Sequence, residues 1–166
     1  MKILEKLNII GDITYDSYLQ FVGELDKLKN KPLGIVFVEL SSEGGDAYAA
    51  LAFYDKIRAC KHDITIMSRG LVASAAIIIL AAGDKRLSSP STWFMMHEDE
   101  VPLNENARVT EVEKDVKHAR RLEHQWNLIL ENRTGVNSKI WAELHKNETY
   151  LTAAEALKYN LITGIL

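Results

Sequence analysis

A single cysteine, Cys60, occurs in 166 residues, which excludes an internal disulfide framework and any zinc site built on cysteine thiolates. The thiol reads as a small hydrophobe on a helix, and the lack of partners fits a reducing compartment. Excess positive charge is missing too. Twenty Lys and Arg stand against 23 Asp and Glu, for a net charge of −3, so no cationic stripe invites nucleic acid. The longest apolar run, from Leu71 to Ala82, is interrupted by Ser74 and is too short to span a bilayer. Charges in Met1-Lys2-Ile3-Leu4-Glu5-Lys6 stand where a secretory apolar core would have to be. A cytoplasmic protein with no membrane and no nucleic-acid partner is expected. No Pro/Gly-rich linker, repeat or low-complexity stretch divides the chain, which has the length of one domain.

What is present is an ordinary globular composition, 47% hydrophobic and 26% charged. Leu7 to Ile10 reads as a strand closed by Gly11-Asp12. Tyr18, Leu19, Phe21, Val22, Leu25 and Leu28 recur at helical spacing over Asp16 to Leu28. Gly34 to Leu40 is almost wholly apolar, as a strand covered on both faces would be. The turn Ser41 to Asp46 leads into a helix from about Ala47 to Cys60. Ile64 to Met67 reads as the next strand, followed by Gly70 and a helix opening at Ser74. Thr92 to Met96 is a further strand, ending at His97. Strand–helix units with short connections predict a parallel α/β core.

The last third is helical. Arg108 to Arg133 lacks Pro and Gly, and Val112, Val116, Ala119, Leu122, Trp126, Ile129 and Leu130 mark one face. A helix of about seven turns exceeds what a small domain needs for its own core, so either a partner surface or packing across its own sheet must occupy it. Asn137 or Ser138 can cap a short helix through Leu144. Thr152 to Glu155 is a capping box, and Asn160 falls where the final helix stops.

Three positions carry chemistry. Gly44-Gly45 ends one strand, Ser74 opens a helix after the next, and His97 ends the one after that. Equivalent ends of parallel strands line one edge, where ligands bind. A serine needs a base to act as a nucleophile at neutral pH, and histidine is the usual one. Gly-Gly lets backbone N–H groups approach a substrate as oxyanion donors or as a pairing edge. The plain alternatives are Ser74 as a helix cap and His97 as a satisfied polar residue at a strand end. His62, His118, His124 and His145 lack ligand spacing and are expected to face solvent. No metal and no cofactor is expected.

On these residues the chain resembles the proteolytic subunit of the ATP-dependent Clp protease, a serine peptidase family. The family's Pro-Gly-Gly corresponds to Glu43-Gly44-Gly45, and its Gly-x-Ala-Ala-Ser-Met-Gly-Ala segment to Gly70 through Ile77. Its Met-Ile-His segment corresponds to Met95-Met96-His97, and its aromatic-Leu-Ser-Ala segment opens at Tyr150. The four motifs occur in unbroken order from about residue 7.

The resemblance implies a crotonase-like α/β fold with a mainly parallel sheet. The head would comprise about 1–103 and 146–166, and a projecting handle region about 104–145. It implies a serine endopeptidase with Ser74 as nucleophile, His97 as base and acid, and Glu148 as the third member, two residues before Tyr150. Asn147 is the alternative third member, and Asp99 lies near His97. The amides of Gly45 and Ala75 would form the oxyanion hole, and Gly44-Gly45 the edge that binds substrate.

A heptameric ring of this chain, stacked to a tetradecamer, would enclose peptides or unfolded proteins. The chain begins at or just before the family's first core strand, so the segment that engages a Clp-type AAA+ ATPase is expected to be missing. Departures at Glu43, Ala75-Ala76, Glu98-Asp99 and Asn147 leave a catalytically silent ring subunit as the alternative. An acyl-CoA enzyme of the crotonase fold would give no reason for a Ser74–His97 pair.

Overall fold

The computed structural model describes residues 2–98 and 108–166. Its elements in chain order are β1 (Ile3–Ile10), α1 (Tyr15–Asp26), β2 (Ile35–Ser42), α2 (Ala47–Arg58), β3 (Asp63–Ala73), α3 (Ala75–Ala82), β4 (Lys85–Ser88) and β5 (Trp93–Met96). They continue with α4 (Val109–Thr134), α5 (Ser138–Lys146), β6 (Thr149–Thr152), α6 (Ala153–Lys158) and β7 (Gly164–Ile165). The expected parallel α/β core is present. β1-β2-β3-β4-β7 forms the main path, with every neighbouring pair parallel. β5 adds to β3 in parallel, and β6 returns antiparallel to β5.

Strand β3 is where the sequence reading needs correction. The strand does not stop at Met67 but runs to Ala73. Its first half pairs with β4 at Thr65 to Ser68, and its second half pairs with β5 at Leu71 to Ala73. Arg69 and Gly70 lie between the two, and Gly70 holds φ 62, a conformation open to glycine at little cost. The strand thus changes partner, and its far half delivers Ser74 beside β5. β2 also departs from expectation. Val36, Val38, Leu40 and Ser42 are buried while the alternate residues are only half-buried, so one face of β2 is covered and not two.

Local signals explain most boundaries. Thr14 and Ser17 form a reciprocal capping box on α1, as Thr152 and Glu155 do on α6. Asp46 accepts from the amides of Tyr48 and Ala49, both at 2.8 Å, and so fixes the first turn of α2. Gly135, at φ 77, ends α4 in the left-handed cap that favours glycine.

All eight residues of α3 are buried. Its isoleucines and leucine each contribute about 2 kcal/mol of apolar burial, so the helix that starts at Ser74 is held rigidly. α4 is different. Its buried residues are Trp126, Asn127, Leu130 and Thr134, all near its C-terminal end. From Val109 to Gln125 no residue is fully buried. The boundary expected at 103/104 lies outside the described residues.

Candidate active site

The candidate residues lie beyond the C-terminal ends of β2, β3 and β5 and in the turn before β6. Ser74 occupies the one-residue turn from β3 into α3, with φ 52 and ψ −126. That is a sparsely populated conformation for a residue with a Cβ. Among the described residues three non-glycine residues hold positive φ: Ser74, Glu148 and Asn160. Two of them are site candidates. The Ser74 backbone is pinned on both sides, its N–H donating to the Met95 carbonyl at 2.9 Å and its carbonyl accepting from Ile77 N–H at 3.0 Å. Its hydroxyl makes no cap hydrogen bond, so the helix-capping reading fails. A sharp strand-to-helix turn of this kind presents a serine hydroxyl outward.

Gly44 packs directly on this turn. A Cβ placed on Gly44 would stand 2.8 Å from Ser74 Cβ, 3.0 Å from the Ala73 carbonyl oxygen and 3.2 Å from the Ala75 nitrogen. Gly45 is held against the chain after β1. Ile13 N–H donates to the Gly44 carbonyl at 2.8 Å, and Asp46 N–H donates to the Ile13 carbonyl at 2.7 Å. Those two bonds flank Gly45 in a parallel bridge, so its own N–H points to the opposite side. The Ala75 N–H is the first of α3 and has no intrahelical acceptor. It stands at the positive end of the helix dipole, where an anion is favoured.

His97 follows the end of β5 and is half-buried. Its Nδ1 lies 2.6 Å from the Glu98 carbonyl oxygen. A carbonyl only accepts, so Nδ1 carries the proton and Nε2 keeps the basic lone pair. The antiparallel register runs Phe94↔Leu151, Met95↔Tyr150 and Met96↔Thr149. β6 begins at Thr149, so Glu148, exposed and at φ 46, precedes the ladder on one strand as His97 follows it on the other. Asn147 is spent elsewhere, since its side-chain amide donates to the Glu143 carbonyl at 2.9 Å and closes α5. Asp99 lies outside the described residues.

The structure therefore packs Gly44 against Ser74 and Ala75, with Gly45 held to Ile13 beside them, while Glu148 stands in the turn before β6. Among the described residues no hydrogen bond joins Ser74 Oγ to His97 or His97 to Glu148. The third-member position at Nδ1 is held by the Glu98 carbonyl.

Two histidines correct the expectation that all four others face solvent. His62 and His145 are buried, 4% and 3% exposed. His62 Nε2 pairs with the Leu28 carbonyl at 3.0 Å, remote from the site. His145 Nδ1 donates to the Trp141 carbonyl at 2.8 Å, and His97 and Glu98 act on its ring electrostatically. Burial holds the His145 pKa below its usual value. The Trp141 carbonyl works against that, the His97 charge adds to it, and Glu98 opposes. The signal for its burial was its spacing: His145 falls four residues after Trp141 and so shares its face of α5. His118 is exposed and hydrogen-bonds the Tyr48 hydroxyl.

Comparison with known proteins bears on the fold and the family. A solved ClpP1 mutant from Listeria monocytogenes superimposes with a TM-score of 0.87 over 97% of this chain and 90% of that one, at 24% identity. The fold is shared. The ATP-dependent Clp protease proteolytic subunit 2 of Treponema denticola is 34% identical over 133 residues, 78% of this chain. The match covers 65% of that subunit's own length, just under two thirds. The family model described as Clp protease matches residues 4–166, nearly the whole sequence, and the chain belongs to that family.

Proposed function

We propose that the chain is a serine endopeptidase that cleaves peptides or unfolded proteins through an acyl-enzyme on Ser74. The observation that carries this is the Ser74 turn, whose unfavourable φ and ψ are maintained by pinned backbone bonds and a buried helix while its hydroxyl caps nothing. His97 Nε2 takes the hydroxyl proton as Oγ bonds to the peptide carbonyl carbon. The amides of Gly45 and Ala75 hold the resulting oxyanion. As the C–N bond breaks, His97 returns the proton to the departing amine, and water repeats the sequence to free the acid. Glu148 orients His97 once Nδ1–H turns from the Glu98 carbonyl to its carboxylate. An extended substrate would pair along Gly44-Gly45.

The same reading assigns a homo-oligomeric ring, heptameric and stacked to a tetradecamer, with the Val112–Val116 side of α4 buried between copies. The Treponema relative is named ATP-dependent, and a Clp-type ATPase is the corresponding partner to test, by degradation of a folded substrate.

The decisive experiment is labelling by a fluorophosphonate probe. Wild type should form an adduct, Ser74→Ala none, and His97→Ala should label at least about a hundredfold more slowly. Absence of any Ser74-dependent adduct in the assembled protein would leave the silent ring subunit as the surviving reading.

A further inference from the structure

We propose that His145 is a positioning residue for the His97–Glu148 pair, acting only while its buried ring is uncharged, and that this gives the site a second acid-sensitive group. The inference rests on the peptidase reading above. Three features place His145 there. It lies in the last turn of α5, and its backbone carbonyl accepts the Glu148 N–H at 3.1 Å, closing the turn in which Glu148 adopts φ 46. Its ring is anchored by the Nδ1–H bond to the Trp141 carbonyl, which leaves Nε2 to take any second proton. The ring lies within electrostatic reach of His97, the residue that must become a cation during acyl transfer.

The surroundings leave that second proton poorly stabilised. The charged side chains acting on the ring are His97 and Glu98, from beyond the end of β5. On its own element stand the exposed Glu143 and Lys146, and Glu148 follows in the turn. The fully buried residues that α4 turns inward, Trp126, Asn127, Leu130 and Thr134, are uncharged; its Glu131 carboxylate accepts from Ser138 N–H at the far end of α5, and β6 brings buried Leu151. A neutral imidazole costs nothing there. A charged one opposes formation of the His97 imidazolium and unsettles the buried anchor of the turn that carries Glu148. Protonation of either ring disfavours protonation of the other, so the acid limb of activity belongs to the pair.

The test is the pH dependence of fluorophosphonate inactivation and of short-peptide turnover in the assembled protein, wild type against His145→Gln. Glutamine supplies a side-chain donor but takes no second proton. In wild type the rate should approach a hundredfold fall per pH unit in the acid limb, and in the variant about tenfold. The variant's plateau kcat should drop about threefold to tenfold with KM unchanged, as expected for a group that positions the acid–base pair and not the substrate. Identical acid limbs would overturn the proposal.

A second measurement needs neither the variant to fold nor the protein to be active. The histidine resonances of wild type and His97→Ala are followed by NMR across the same pH range. The His145 midpoint should rise in His97→Ala, because a neighbouring cation is removed; an unmoved midpoint refutes the coupling. Failure of the peptidase reading would look different, as loss of the Ser74-dependent adduct at every pH with the His145 shift intact.

Discussion

Ser74 and Gly44 interlock through a contact that leaves no room for a methyl group, and each constrains what the other position tolerates. Gly44 combines φ 109 with the 2.8 Å approach to Ser74 Cβ, so Gly44→Ala must displace either the nucleophile turn or the chain before α2. Displacement of the hydroxyl by about 1 Å costs on the order of a hundredfold in rate. Probe labelling of Gly44→Ala should fall by that much while circular dichroism reports the same helix content.

Ser74→Gly tests the strain from the other side. The variant must be inactive, yet glycine adopts φ 52 with ψ −126 at little cost. Relief of the strain should therefore stabilise the fold by about 1 kcal/mol, read as a higher Tm than wild type; an unchanged or lower Tm would show that the turn stores no strain.

His145 adds a residue-scale consequence for stability. Its folded pKa lies below the usual 6.5, so the unfolded chain binds this proton more readily. Stability is complete above about pH 6.5 and declines as pH falls from there to the depressed folded value. Urea midpoints should show that decline, and His145→Gln should flatten it. Ser74, His97 and Gly44-Gly45 were legible in the sequence because each combines a distinctive residue type with a strand end. His145 was not, since a histidine on an amphipathic helix carries no mark of burial beyond its spacing from Trp141.

At the scale of elements, long periodic segments and short ones marked by an apolar run or a cap could be read, and the remaining short strands could not. The α1, α2 and α4 assignments follow from apolar spacing and lie within two residues of the observed ends. β4, β6 and β7 have four, four and two residues, too few for periodicity to register. β6 nevertheless bears on the site, because its pairing with β5 holds the turn that carries Glu148 near the end of β5, whereas the Asn147 side chain closes α5. β3 misled for a related reason: Gly70 looks like a terminus in one dimension, whereas the strand bends there and takes a new partner.

α4 supplies the element-scale prediction. Val112 and Val116 are half-buried on a stretch with no fully buried residue, so replacing both with lysine should leave monomer stability within about 0.5 kcal/mol of wild type. Light scattering should instead show a smaller assembly. Retention of the full-size particle by the double variant would remove this face from the interface.

Across the whole molecule, α3 links the site to an arginine cluster at its far end. Its N-terminus presents Ser74 and the Ala75 amide. Its C-terminal carbonyls are taken by three arginines: Arg133 Nε donates to Ala81 O at 2.8 Å, Arg58 to Ala82 O at 3.1 Å, and Arg133 and Arg86 to Gly83 O. Positive charge at a helix C-terminus is favourable, and here it also joins distant parts of the chain. Arg86 is 4% exposed and donates further to the carbonyls of Leu161 at 2.9 Å and Asn160 at 2.9 Å, tying β4 to the segment after α6. Burial, then the Arg133 and Arg58 charges, lower its pKa, while Asp84 opposes; a guanidinium nonetheless remains protonated.

Because these acceptors are backbone oxygens, replacing Arg86 leaves several of them buried without a donor. Arg86→Met should cost about 3 kcal/mol or more in a urea melt, the sum of several orphaned groups. By contrast, Arg69→Ala, which loses the exposed pair with Glu39 and an exposed bond to the Ser89 hydroxyl, should cost under about 1 kcal/mol. If the two substitutions cost the same, the cluster does not anchor α3. If Arg86→Met proves the costlier and also slows probe labelling at Ser74 in the folded fraction, the far end of α3 is shown to hold the nucleophile turn in place.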